Sequence, residues 1–112
     1  MPARRIKSLL PEHSAGHYLY LIAAADGQIK VGHTRRLRDR LMNHRRTLGG
    51  AVAWCHAIPA GTKGAAWSAE LDCIRHLAAN GERIGRTEWF SGIDKATAIV
   101  AARAAVAAHL GA

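Results

Sequence analysis

Cysteine is scarce in this chain. Cys55 and Cys73 are the only two in 112 residues, too few and too far apart for a zinc ribbon or a disulfide-stapled domain. Both are read as buried thiols, since free cysteine packs as a small hydrophobe. No apolar run approaches the roughly 20 residues that span a bilayer, and residues 1–16 show no apolar segment of the signal-peptide kind. The expected location is cytoplasmic. There is no phosphate-binding loop, no dinucleotide fingerprint and no close Ser-His-Asp arrangement. His13, His17, His56, His76 and His109 are scattered, without the short spacing of a zinc site.

Negative charge is also in short supply, with eight Asp and Glu against sixteen Lys and Arg and a formal net charge of +8. The excess is lopsided: residues 1–50 carry ten basic and three acidic side chains, residues 51–112 six and five. Such asymmetry favours a polyanionic partner, because each phosphate neutralised releases counterions. A merely solubilising surface is the plainer alternative. Membrane binding is disfavoured, since no segment joins a long basic face to a broad, bulky apolar one.

A chain of this length makes one domain with a small core, burying roughly two thirds of its unfolded surface. Residues 1–16 read as a basic arm carrying Arg4, Arg5 and Lys7, where Pro11 and Gly16 argue against a long helix. From His17 the pattern becomes strand-like through Tyr18-Leu19-Tyr20-Leu21-Ile22. Asp26-Gly27 then offers a turn back through Gln28-Ile29-Lys30-Val31. Tyr18 and Tyr20 share one face of the strand and Leu19 takes the other.

Thr34 is expected to cap a helix over residues 35–46, with Leu37 and Leu41 toward the sheet and Gly49-Gly50 ending it. Arg36, Arg40 and His44 recur every four residues as a polar row, and Arg35, Arg38 and Arg45 spread charge around it. Residues 51–58 form a third strand ending at Pro59. A second helix over residues 65–79 directs Trp67, Leu71, Ile74 and Leu77 or Ala78 inward. Glu70 falls within that stripe, and a carboxylate among bulky apolar side chains requires compensation. Residues 85–92 make a loop or short strand, and an alanine-rich helix over residues 93–110 follows. Its small side chains also suit association with a second copy.

The ordered set Tyr18-Leu19-Tyr20, Lys30-Val31-Gly32, His33-Thr34, the segment from Arg35 through Arg40 to Leu41, Glu70 and Glu88-Trp89-Phe90 resembles the GIY-YIG nuclease superfamily. It is closest to the compact branch whose second motif begins with lysine. The resemblance covers residues 17–92. It implies an α/β (α+β) fold with a small antiparallel sheet flanked by helices; the residue pattern makes that sheet three-stranded and mostly antiparallel, and residues 93–112 are expected to pack on the domain as a helix. It further implies Tyr20 near the scissile phosphate, Arg40 as the phosphate-binding arginine and Glu70 as the ligand of Mg²⁺ or Mn²⁺, with Lys30 and His33 in the same site.

Lys30 stands where the namesake motif has tyrosine; a nearby ammonium favours tyrosinate or contacts phosphate. The asparagine of many relatives has no clear counterpart, Asn80 being better placed for local capping. The expected activity is metal-dependent DNA endonuclease or nickase, with DNA as partner and RNA as the alternative substrate. Arg4, Arg5, Lys7, Arg35, Arg36, Arg38, Arg40, His44 and Arg45 are the expected nucleic-acid contacts. A catalytically weak or inactive nucleic-acid-binding accessory protein is the competing expectation, and a homodimer through the final helix is a further one.

Overall fold

The computed structural model describes residues 16–85 and 87–110. Arg4, Arg5 and Lys7, the expected basic arm, lie outside them. The described chain runs β1 (His17–Ala24), β2 (Ile29–Thr34), α1 (Leu37–Thr47), β3 (Val52–Gly61), α2 (Lys63–Asn80), β4 (Glu82–Arg83), β5 (Trp89–Ser91) and α3 (Lys95–His109). It is an α+β fold. The sheet has five strands in the order β3-β1-β2-β5-β4, all neighbours antiparallel.

The expected three-strand sheet is therefore too small. The two extra strands are only two and three residues long, short of any run over which period-two alternation is readable. What adds them is tertiary pairing of Phe90 with Ile29 and Trp89 with Lys30.

The hairpin forms where Asp26-Gly27 predicted it. Gly27 has φ +91° and the Asp26 carboxylate accepts the Gln28 N–H at 3.0 Å, a local turn bond of the Asx type. Strict alternation then splits the sheet into two faces. Tyr18, Tyr20 and Ile22 pack with Leu37 and Leu41 of α1, while Leu19, Leu21, Val31 and Phe90 pack under α2 and α3. Trp89 and Phe90, adjacent in β5, serve opposite faces.

Pro59 lies inside β3 rather than ending it. β3 is an edge strand, where a missing N–H is tolerated, and the register shift that pairs Tyr18 with Pro59 and His17 with Gly61 makes a bulge at Ala60. Thr34 belongs to β2; its hydroxyl accepts the Arg36 N–H at 3.0 Å instead of capping α1, whose N-cap is Arg36 without a side-chain cap bond.

The inner stripe of α2 also differs from the expected one. Ala66, Ala69, Glu70, Cys73 and Leu77 are buried, whereas Trp67 and Leu71 are 56% and 39% exposed. Small residues win the inner positions because α2 must approach the sheet and α3 together; α3 presents Ala98, Ala101, Ala102 and Ala105 to the same core. The alanine face of α3 is thus buried within its own chain. Cys73 is buried and Cys55 half-buried, both as free thiols. Gly81 ends α2 for a reason other than a left-handed cap: a Cβ there would fall 2.5 Å from the Ser91 carbonyl oxygen and overlap Ile93. No helix of the described residues is long and apolar enough to cross a membrane.

Candidate active site

Cross-strand register assigns the candidate residues to faces. Tyr20 pairs with Gly32 and Ile22 with Lys30, so Tyr20 and Lys30 share the α1 face; His33 pairs with Leu19 and faces α2. Tyr20 is buried to 2% exposure. Its ring lies across Gly32: a Cβ at that position would stand 2.5 Å from the ring carbon Cζ. Glycine opposite tyrosine is therefore a packing requirement. Gly32→Ala is expected to cost about 1–3 kcal/mol through overpacking and to push the phenol off its position, measurable as a lower urea midpoint with an unchanged m-value.

The Tyr20 hydroxyl is 2.8 Å from His44 Nε2, with the two rings 5.6 Å apart. His44, expected in the polar row with Arg36 and Arg40, is half-buried against the tyrosine. The signal was present in the spacing: Leu37, Leu41, His44 and Leu48 follow the i, i+4, i+7, i+11 pattern of one inward stripe. Burial lowers the His44 pKa, with Lys30 and Arg40 lowering it further and Glu88 opposing them. The imidazole is neutral at neutral pH, and with its proton on Nδ1 it accepts from the phenol O–H.

Burial pushes the Tyr20 phenol up to about 12, Glu70 and Glu88 adding to that rise and the Arg40 guanidinium pulling it down. The cation that favours tyrosinate is thus Arg40, not Lys30. Lys30 instead pairs with Glu88 at 3.5 Å, a partly exposed ion pair of small energetic consequence. Because the folded-state pKa lies above the unfolded value of 10.0, Tyr20 contributes stability fully below pH 10 that is lost as pH rises toward 12. The loss expected over that window is about 2–3 kcal/mol. Chemical unfolding at stepped alkaline pH should show this slope in the wild type and a shallower one in Tyr20→Phe, with the matching phenolate absorbance rising near pH 12.

Glu70 reaches the same region from the opposite side of the sheet. It is 7% exposed, and the His33 imidazole Nδ1 is in hydrogen-bond contact with its Oε2. That contact answers the compensation a buried carboxylate needs. β5 pairs with β2 only at Ile29 and Lys30, so residues 31–34 have no strand on that side among the described residues. Gly32 has no side chain to close the gap. The charge of the Glu70 carboxylate reaches the Tyr20 phenol from across the sheet.

Arg40 is exposed on α1 and, with Thr34, Arg35, Arg36, Asp39 and Asn43, lines an open groove of about 460 Å³. Arg45 lines a second hollow with Met42, Arg46, Gly49 and Gly50. Arg38 is exposed and borders neither. Tyr20, Lys30, Arg40 and His44 thus share one face and His33 and Glu70 the other, linked by the influence of Arg40 and Glu70 on the Tyr20 phenol.

Among the described residues no group of three or more His, Cys, Asp or Glu side chains is arranged to hold a metal ion, which leaves no dedicated cage for zinc or a similar ion. A hard cation needs less protein. Glu70 engages one oxygen with His33 and has no hydrogen-bond donor on Oε1 among the described residues. A single carboxylate beside a solvent-open edge suits Mg²⁺ or Mn²⁺ completed by water and phosphate oxygens. Compared with protein-family models, curated proteins and solved structures, the chain matches none.

Proposed function

We propose that this protein is a GIY-YIG-type endonuclease or nickase that hydrolyses DNA phosphodiester bonds with a divalent cation. The observation that supports the proposal is that the Tyr20 phenol, bonded to His44, is acted on by the charges of both Arg40 on α1 and the buried Glu70 on α2. Separate elements supply these groups, in the chain order the family resemblance requires.

Arg40 would bind nonbridging phosphate oxygens through its planar fork, fixing the phosphate in the groove and offsetting charge that grows in the transition state. Tyr20, protonated at neutral pH, activates water by relay: the attacking water gives its proton to the phenol oxygen as the phenol proton passes to His44 Nε2. His44 suits that role because it is neutral. His33 holds the Glu70 carboxylate in place. Glu70 would hold the divalent cation, which when bound supplies Lewis-acid stabilisation of phosphate charge. Lys30, tied to Glu88, acts as a support of the β2–β5 edge.

Two observations favour a second reading, a nucleic-acid-binding accessory protein without efficient catalysis. The phenol is held protonated up to about pH 12 and Lys30 is turned to Glu88. The two readings separate in a panel of single-stranded, duplex and nicked DNA and RNA substrates incubated with Mg²⁺ or Mn²⁺. The nuclease cuts only with metal, whereas the accessory protein binds in a salt-sensitive manner and cuts nothing.

A further inference from the structure

Trp67 is out of place for a tryptophan in a chain with so few aromatics. Trp54 and Trp89 pack against the two cores, while Trp67 is 56% exposed on α2. At 100° per residue, Lys63, Trp67 and Glu70 lie within about 60° of one another around the helix, and Lys63 is one turn before Trp67. The indole therefore sits on the solvent side of the shoulder whose inner edge is Glu70.

Lys63, one turn earlier on α2, brings positive charge beside it. The His17 and His33 rings are 6.4 Å apart, and His17 Nδ1 is buried without a hydrogen-bond partner among the described residues. His33 also contacts Glu70, three residues along α2 from Trp67, and Arg35 follows His33 by two residues; in keeping with that placement, the charges of His33, Arg35 and Lys63 add to burial in lowering the His17 pKa. Arg35 also lines the Arg40 groove, which joins this region to the other side of the β2 edge. An exposed indole flanked by lysine and arginine has the composition of a single-strand binding surface: stacking on the base, cations on the backbone.

We infer that Trp67, with Lys63 and Arg35, forms a subsite for one unpaired nucleotide flanking the scissile phosphate, the indole stacking on the base and the two cations holding its phosphate. The subsite rests on the nucleic-acid reading above and deepens it: the preferred substrate is DNA that is single-stranded or locally unpaired beside the cut, rather than an undistorted duplex. Duplex DNA cannot present a base face to Trp67 without paying for unstacking.

The test is fluorescence anisotropy of a labelled short oligothymidylate in EDTA, which records binding without cleavage. Trp67→Ala is expected to weaken binding about 5- to 100-fold, with Trp67→Phe retaining most of it, and both keeping the wild-type melting temperature because the side chain is exposed. An abasic site walked along the oligonucleotide should weaken wild-type binding at one position and leave Trp67→Ala indifferent there. Equal binding by wild type and Trp67→Ala overturns the subsite while leaving the nuclease reading intact. Trp67-dependent binding by a protein that cuts nothing with Mg²⁺ or Mn²⁺ supports the subsite and overturns only the nuclease reading. No binding by the wild type at low salt overturns both.

Discussion

Glu70→Gln is expected to lower metal-dependent cleavage at least about 100-fold while leaving the fold and metal-free nucleic-acid binding in place. The substitution keeps the size of a side chain that is 7% exposed, and a glutamine carbonyl still accepts from a His33 Nδ1–H. What it removes is the negative charge and the second oxygen that suit a hard cation. Losing one acid near a basic surface also strengthens, if anything, binding to phosphate. The informative result is therefore a split, with cleavage collapsed and anisotropy unchanged or tighter. Cutting by Glu70→Gln at the wild-type rate in both Mg²⁺ and Mn²⁺ would remove Glu70 from the mechanism. A fall in melting temperature that tracks the lost activity would reassign it to structure.

Arg40→Ala is expected to cost about 100- to 1,000-fold in cleavage, with a smaller loss in binding and a salt dependence shallower by about one phosphate contact. Arg40 is exposed and lines the groove, so little stability is at stake. Its second role is testable in the same variant. Since Arg40 pulls the Tyr20 phenol down against burial, removing it should move phenolate absorbance to still higher pH. Arg40→Lys should restore part of that electrostatic effect without restoring cleavage, because an ammonium lacks the fork that matches two phosphate oxygens. Wild-type cleavage in Arg40→Ala would refute the phosphate-binding assignment.

Local rules made a good part of the fold legible. The Asp26-Gly27 turn, the division of Tyr18 and Tyr20 from Leu19, the inward Leu37 and Leu41, and the stop at Gly49-Gly50 each follow from short-range geometry. Glu70 was also legible as an inward acid, although its neighbours were not. Bulk suggested that Trp67 and Leu71 belong inside, but close packing of α2 against both the sheet and α3 selects Ala66 and Ala69 instead. Exposure of Trp67, the basis of the single-strand subsite, was for that reason invisible in the hydrophobic pattern.

The site shows the same division. That Tyr20, Arg40 and Glu70 are candidate chemistry is what the family resemblance, carried by residue type and chain order, implies. Their relation in space does not, because each lies on a different element and the distance between elements is a tertiary quantity. The Tyr20–His44 bond joins residues 24 apart in sequence and the His33–Glu70 contact residues 37 apart. Neither is encoded by any local period. Strand register likewise makes Gly32 the floor beneath Tyr20.

Sequence alone determined the basic excess, the hairpin, the inward Leu37 and Leu41 of α1 and the inward acid, since all of these are set by interactions within a few residues or by simple charge summation. Only the tertiary structure decided that the sheet has five strands and leaves the β2 edge open, that His44 turns to Tyr20, and that Lys30 turns to Glu88. Those outcomes depend on which distant surfaces pack together, where close contact between small side chains outweighs the burial preference of any single large one.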